Sequence, residues 1–91
     1  MRLTAIHERF GANLRRRRAE IGISQEELAF RAAIHRTQVS LLEGGDRLPR
    51  FETLVKLAGA LEVPISSLAE GIEWEPIISI QGGLIVKSIR E

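Results

Sequence analysis

Apolar positions along the first seventy residues recur with a helical period, and that rhythm breaks at a few identifiable points. Ile6, Phe10, Leu14 and Ile21 stand at spacings of four, four and seven, which predicts a first helix over 6–21, ended by Gly22. Ser24 and Glu27 form a Ser-x-x-Glu capping box, in which hydroxyl and carboxylate satisfy orphan amides reciprocally. The second helix it opens buries Leu28, Ala29 and Ala32 and runs no further than Ala32, because Ala33-Ile34-His35 intervenes. A third helix, Arg36 to Glu43, buries Val39 and Leu42 and stops at Gly44-Gly45, where glycine accepts a left-handed cap. Asp46 to Arg50 is a loop punctuated by Pro49, and a fourth helix follows from Phe51 to Leu61, with Leu54, Leu57, Ala58 and Leu61 inward. Pro64 suits the first turn of a fifth, Ile65 to Ala69, closed by Gly71.

After Gly71 the pattern changes. Isoleucine and valine crowd the last twenty residues around Gln81-Gly82-Gly83, and Ile77–Ile80 and Leu84–Ile89 read as two short strands about a glycine turn. The expectation is a mainly α chain: five helices in a domain over residues 6–71, then a C-terminal β-hairpin or strand tail over 72–91. Ninety-one residues suit one small core with little stability to spare.

Composition narrows the chemistry. The absence of cysteine excludes a disulfide framework, a thiolate catalyst and a Cys-based metal site, and fits a reducing cytoplasm. Charge interrupts the N-terminal region too early for a secretory segment, and no apolar run approaches the roughly 20 residues that span a bilayer. His7 and His35, the only histidines, fall on different predicted elements and have no spaced carboxylate partner, so no metal is expected. His35 is placed to cap the third helix or to touch phosphate. No nucleophile–base set or phosphate-cradling loop is present, so no catalytic residue and no cofactor are assigned. Charge is unevenly divided: residues 1–50 hold ten arginines against six acids, and residues 51–91 hold three bases against six. A basic first half suits a polyanionic partner.

Two short helices joined by a tight turn, the second polar on one side, describe a helix-turn-helix. The major groove of DNA admits one helix, so a reading helix must protrude while its back is held. Val39 and Leu42 supply that back, leaving Arg36, Thr37, Gln38, Ser40 and Leu41 outward. Arginine grips guanine bidentately, glutamine grips adenine, and small hydroxyls reach bases or phosphates.

From about Phe10 to Gly71 the chain resembles the five-helix DNA-binding domain of the lambdoid repressor and Cro family, shared by regulators of the xenobiotic-response-element type. The landmarks are Gly22 before Ser24-Gln25-Glu26, Ala29, Val39, Leu42, and Pro49 before Glu52-Thr53-Leu54. The resemblance implies that Arg36, Thr37, Gln38, Ser40 and Leu41 read bases. It further implies that Arg17, Gln25 and Arg47 meet phosphate, with Gln25 bracing Arg36, and that Arg18 and Glu43 form a structural ion pair. Three positions depart from the pattern. Ala33 replaces a glycine at a turn favouring positive φ, which strains or alters the turn. Leu41 replaces a polar reader, implying a thymine-methyl contact or weaker readout. Phe30 lies on a face usually polar, either covered by the tail or exposed.

The function implied is that of a sequence-specific regulator, a repressor or autoregulator, binding double-stranded DNA at a palindromic operator as a cytoplasmic homodimer. The short remainder after the fold gives no room for an effector domain and favours a small control protein. The alternative is an interaction module on the same fold, or an antitoxin-type protein with a toxin partner, using Phe30, Leu41 and the tail. No membrane contact is expected. In the tail, Trp74, Ile78, Ile80, Leu84 and Val86 are too apolar for a solvated end, and a lone hairpin is marginal in water. Pairing of two tails into a shared sheet that buries Trp74 is the expectation; a hairpin folded back on its own helices, over Phe30, is the competing one.

Overall fold

The computed structural model describes residues 3–76 and 83–86, with the side chains of Leu3 and Thr4 left aside. Five helices, α1 (Leu3–Ile21), α2 (Gln25–Ala32), α3 (Arg36–Glu43), α4 (Phe51–Leu61) and α5 (Ile65–Leu68), precede two strands, β1 (Ile72–Glu75) and β2 (Gly83–Val86). Phe10, Leu14, Leu28, Val39, Leu42, Leu57, Leu61 and Leu68 meet in one core to which every helix contributes. Ile21, by contrast, is 45% exposed at the end of α1, so the apolar spacing overstates the inward face there.

Helix ends follow local chemistry. Gly22, at φ +71, closes α1 by giving its N–H to the carbonyls of Arg18 and Ala19. Ser24 caps α2, its hydroxyl accepting from Glu27 N at 3.0 Å. The return arm of the capping box is not made, because the Glu27 carboxylate takes Arg31 Nε at 3.0 Å, one turn on. Gly44 keeps a right-handed conformation at φ −78, and it is Gly45, at φ +78, that turns the chain. Pro64 caps α5 from outside the helix, which ends at Leu68, one residue short of expectation.

α1 carries two polar stripes that dock the rest. Asn13, Arg16 and Arg17, at i, i+3 and i+4, share one face. The buried Asn13 amide donates to the carbonyls of Leu68 and Glu70 at 3.0 and 2.9 Å, and Arg16 Nη2 reaches Glu70 Oε1 at 2.8 Å. The neighbouring stripe of Gly11, Arg15 and Arg18 faces the C-terminal end of α3. Gly11 permits the approach: a Cβ there would lie 2.6 Å from the Leu42 carbonyl oxygen and 2.7 Å from that of Glu43.

β1 and β2 pair antiparallel within the chain, Ile72 opposite Val86 and Trp74 opposite Leu84. Side chains alternate along a strand, so Ile72, Trp74, Leu84 and Val86 form one apolar face. Ile72 packs on the core, while Trp74 overhangs it at 57% exposure. The hairpin lies beside α1, and Phe30 on α2 is left 81% exposed, which removes the expectation that the tail covers it. The expected strand Ile77–Ile80, with Ile78 and Ile80, lies outside the described residues, as does the end of the second beyond Val86. β1, which the sequence reading does not include, lies before Pro76 and begins at Ile72.

The α1–α3 contact sets a steric prediction. Gly11→Ala should destabilise by about 1–3 kcal/mol, since the methyl meets backbone rather than a movable side chain. Thermal unfolding measures it, and a melting point equal to the parent's would mean that the two helices can part at no cost.

Candidate nucleic-acid interface

The turn between α2 and α3 is made by Ala33 in the left-handed conformation, φ 55 and ψ 45. Its N–H donates to Phe30 O at 3.2 Å, and Ile34 N–H to Ala29 O at 3.0 Å, which stops α2 and swings the chain into α3. An L-residue with a Cβ holds this conformation at a cost of roughly 1 kcal/mol, so the positive-φ turn is kept without the glycine that would relieve it. His35 then caps α3, its Nδ1 accepting from Thr37 N at 3.1 Å.

Along the eight residues of α3, burial divides cleanly. Val39, Leu42 and Glu43 are buried against the domain, and Arg36, Thr37, Gln38 and Ser40 are exposed. Leu41 is half-buried at the margin between them, so it offers only part of its side chain outward.

The least ordinary member of the buried face is Glu43, whose side chain is 0% exposed. Arg18 meets it bidentately, Nε to Oε2 at 2.6 Å and Nη2 to Oε1 at 2.9 Å. Gln25 Nε2 donates to Oε1 at 3.0 Å, and Arg15 Nε stands 3.7 Å away. The third arm of Arg18, Nη1, donates to Ile23 O at 2.8 Å. Burial pushes the Glu43 carboxyl up, but hydrogen bonds from Arg18 and Gln25, with the charges of Arg18 and Arg15, reverse this and leave it below its ordinary value. The hydrogen bond to Glu43 outweighs desolvation at Arg18 and holds that guanidinium above its own.

This geometry redistributes the expected phosphate contacts. Arg17 is turned to carboxylates, Nη1 to Glu20 at 3.1 Å and Nη2 to Glu70 at 3.4 Å, and is not free to meet an anion without exchanging them. The Gln25 amide braces Glu43 rather than Arg36, although Gln25 and Arg36 border the same shallow depression. Thus Arg18 is committed to the buried Glu43, whereas Arg16 and Arg17 pair with carboxylates that are themselves half exposed and Arg15 stays 62% exposed. Among the described residues, Arg36, Arg47 and Arg50 make no ion pair. Arg47 and Arg50 line an open cleft with His35, Gln38 and Lys56, between the start of α3 and that of α4. Arg50 and Lys56 were not singled out from the sequence, because only the path of the 46–50 loop brings them beside α3. No group of three or more His, Asp or Glu side chains able to hold a metal ion occurs among the described residues, and no helix there is long and apolar enough to cross a membrane.

Comparison with known proteins agrees with this geometry. The helix-turn-helix family profile matches residues 14–68. An HTH-type transcriptional regulator of Sinorhizobium fredii, y4dJ, is 43% identical over 53 residues, which is 58% of this chain and 69% of that protein. The restriction-modification controller protein C.AhdI from Aeromonas hydrophila superposes with a TM-score of 0.69 at 38% identity, covering 70% of this chain and 97% of its own. The DNA-binding domain of the P22 C2 repressor gives a TM-score of 0.65 at 27% identity, covering 68% and 82%.

Two measurements follow from the turn and the buried pair. Ala33→Gly should stabilise by about 1 kcal/mol, raising the melting point several degrees. Glu43→Ala leaves the partly buried Arg18 without its partner and should cost roughly 3–5 kcal/mol. A carboxyl held low in the folded state contributes stability that is present above its unfolded value and lost as pH falls through the folded one. The gap in stability between the parent and Glu43→Gln should therefore be widest near neutrality and narrow on the acid side of about pH 4. A gap independent of pH would show that the carboxylate charge contributes nothing.

Proposed function

Because this chain belongs to the helix-turn-helix family of DNA-binding transcriptional regulators, of the Cro and xenobiotic-response-element type, we propose that it binds a palindromic operator as a cytoplasmic homodimer and acts there as a repressor or autoregulator. The observation that carries this reading is the division of α3, with Arg36, Thr37, Gln38 and Ser40 outward and Val39, Leu42 and Glu43 held behind them. The family is one of regulators and not of enzymes.

In the complex, α3 lies in the major groove with its N-terminal residues on base edges. Arg36 and Gln38 supply bidentate donors and acceptors, Thr37 and Ser40 short hydroxyl contacts, and the outer part of Leu41 an apolar contact to a thymine methyl. Arg47 and Arg50 flank the groove and take phosphates, setting register without reading sequence. Gln25 keeps a second amide hydrogen for a phosphate while the first holds Glu43. Arg17 is left out of this set, its guanidinium being held by Glu20 and Glu70.

The dimer is assigned to the tail. The apolar hairpin face of Trp74, Leu84 and Val86 extends past the core, and a two-stranded sheet leaves edges that a second copy can pair with. Two-fold pairing would set the recognition helices roughly 34 Å apart, one turn of DNA. The exposed Phe30 favours a second reading, a protein partner such as a toxin docked on α2. Salt separates the two, since binding through phosphates weakens steeply with salt and an apolar contact does not.

Arg36→Ala should lose about 1–3 kcal/mol of discrimination at one base position. Arg47→Ala should weaken all sequences alike and flatten the salt slope by about one unit. Binding of specific and scrambled duplexes unchanged by both would mean that the reading surface lies elsewhere. Truncation after Glu75 should give a folded monomer with much reduced operator affinity; a truncated protein still dimeric by light scattering would remove the tail from dimerisation.

A further inference from the structure

We infer that His35 contacts the DNA backbone: the bond that caps α3 fixes the imidazole so that its remaining nitrogen offers a donor to one phosphate. This rests on the DNA-binding reading above and joins, through one ring, the two roles that the sequence leaves as alternatives for His35, helix cap and phosphate contact. The starting point is the capping bond, Thr37 N to His35 Nδ1 at 3.1 Å. A backbone N–H can only donate, so Nδ1 must present its lone pair, and the ring proton sits on Nε2. Asparagine, aspartate or serine caps a helix with an oxygen acceptor and spends its side chain doing so. Histidine caps with one nitrogen and keeps an N–H donor on the other side of the ring.

The surroundings decide what that donor meets. His35 is exposed and lines the cleft that also holds Gln38, Arg47, Arg50 and Lys56. Glu52 is the one acid on the cleft wall, and it stands 3.6 Å from Lys56. A donor set among cations suits an oxygen carrying negative charge and repels another donor, which selects a phosphate over a base edge of mixed character. His35 thereby ties the start of the reading helix to the backbone through a single ring, and a displacement of the ring would move Thr37 with it.

The test uses the full chain and a duplex that the parent selects from a random-sequence pool. His35→Asn keeps an oxygen cap for Thr37 N–H and removes the Nε2 donor; His35→Ala removes both. The asparagine variant should melt within a degree or two of the parent yet bind selected and scrambled duplexes about tenfold more weakly. Its salt slope should match the parent's, since no cation is lost. Methylphosphonate substitution, one phosphate at a time, should reveal a position whose neutralisation weakens the parent and leaves His35→Asn unaffected. Parent-like affinity of His35→Asn, or no phosphate that distinguishes the two proteins, overturns the inference. Failure of the parent to select any duplex overturns the DNA-binding reading instead, so the two failures are told apart.

Discussion

A single carboxylate, that of Glu43, is where the helices of this domain are tied together. It comes from the last residue of α3 and is wholly shielded from solvent. Arg18 of α1 grips both its oxygens, and Gln25 at the start of α2 shares one of them. The same guanidinium reaches the Ile23 carbonyl in the turn between α1 and α2. Three helices and a turn therefore converge on one charge. Bringing that charge out of water is unfavourable, and only a complete set of partners makes it tolerable. The geometry is correspondingly unforgiving: a shift of any one element breaks a bond to a buried ion. α3 is fixed from behind by Val39, Leu42 and Glu43, while Arg36, Thr37, Gln38 and Ser40 stand exposed on its other side.

α1 extends this arrangement to the other end of the molecule. Its stripe of Gly11, Arg15 and Arg18 holds α3, and its stripe of Asn13, Arg16 and Arg17 holds the end of α5 and the residue before Gly71. α3 and the root of the tail are thus referred to one rigid rod. Whatever the tail engages, its direction relative to α3 is set by side chains only a turn apart on α1.

How much of this was legible in the sequence depends on whether the signal was local. Several bounds are written in residues beside them: Ser24 starts α2, Gly45 stops α3 and Pro49 precedes α4, whereas the stop at Ala33 is legible only through the family resemblance. The α3 surface was legible for the same reason, since helical period alone sends Val39 and Leu42 one way and Arg36 and Ser40 the other. The placement of Arg17 was not legible, because Glu70 lies 53 residues away and only the fold brings it near. Four successive arginines look like a surface for a polyanion until their carboxylate partners, Glu43, Glu70 and Glu20, are located in the fold. β1 carried a signal that was passed over: Ile72, Glu73, Trp74 and Glu75 alternate apolar and acidic, the period of a strand, but the isoleucine-rich run after Pro76 drew the assignment onward. Glu62, left-handed at φ 58 at the end of α4, had no sequence cue at all.

The internal use of those arginines bears on how such a molecule would move through a genome. Grip on DNA of arbitrary sequence grows with the number of phosphates a surface neutralises. With the guanidiniums of Arg16, Arg17 and Arg18 paired to carboxylates of the same chain, those three meet a featureless duplex only by exchanging these partners. Their contribution to the hold on wrong sites is reduced to that extent. A larger share of residence at the right site must then come from the face of α3. Selectivity of this kind is gained by being a poor guest everywhere else.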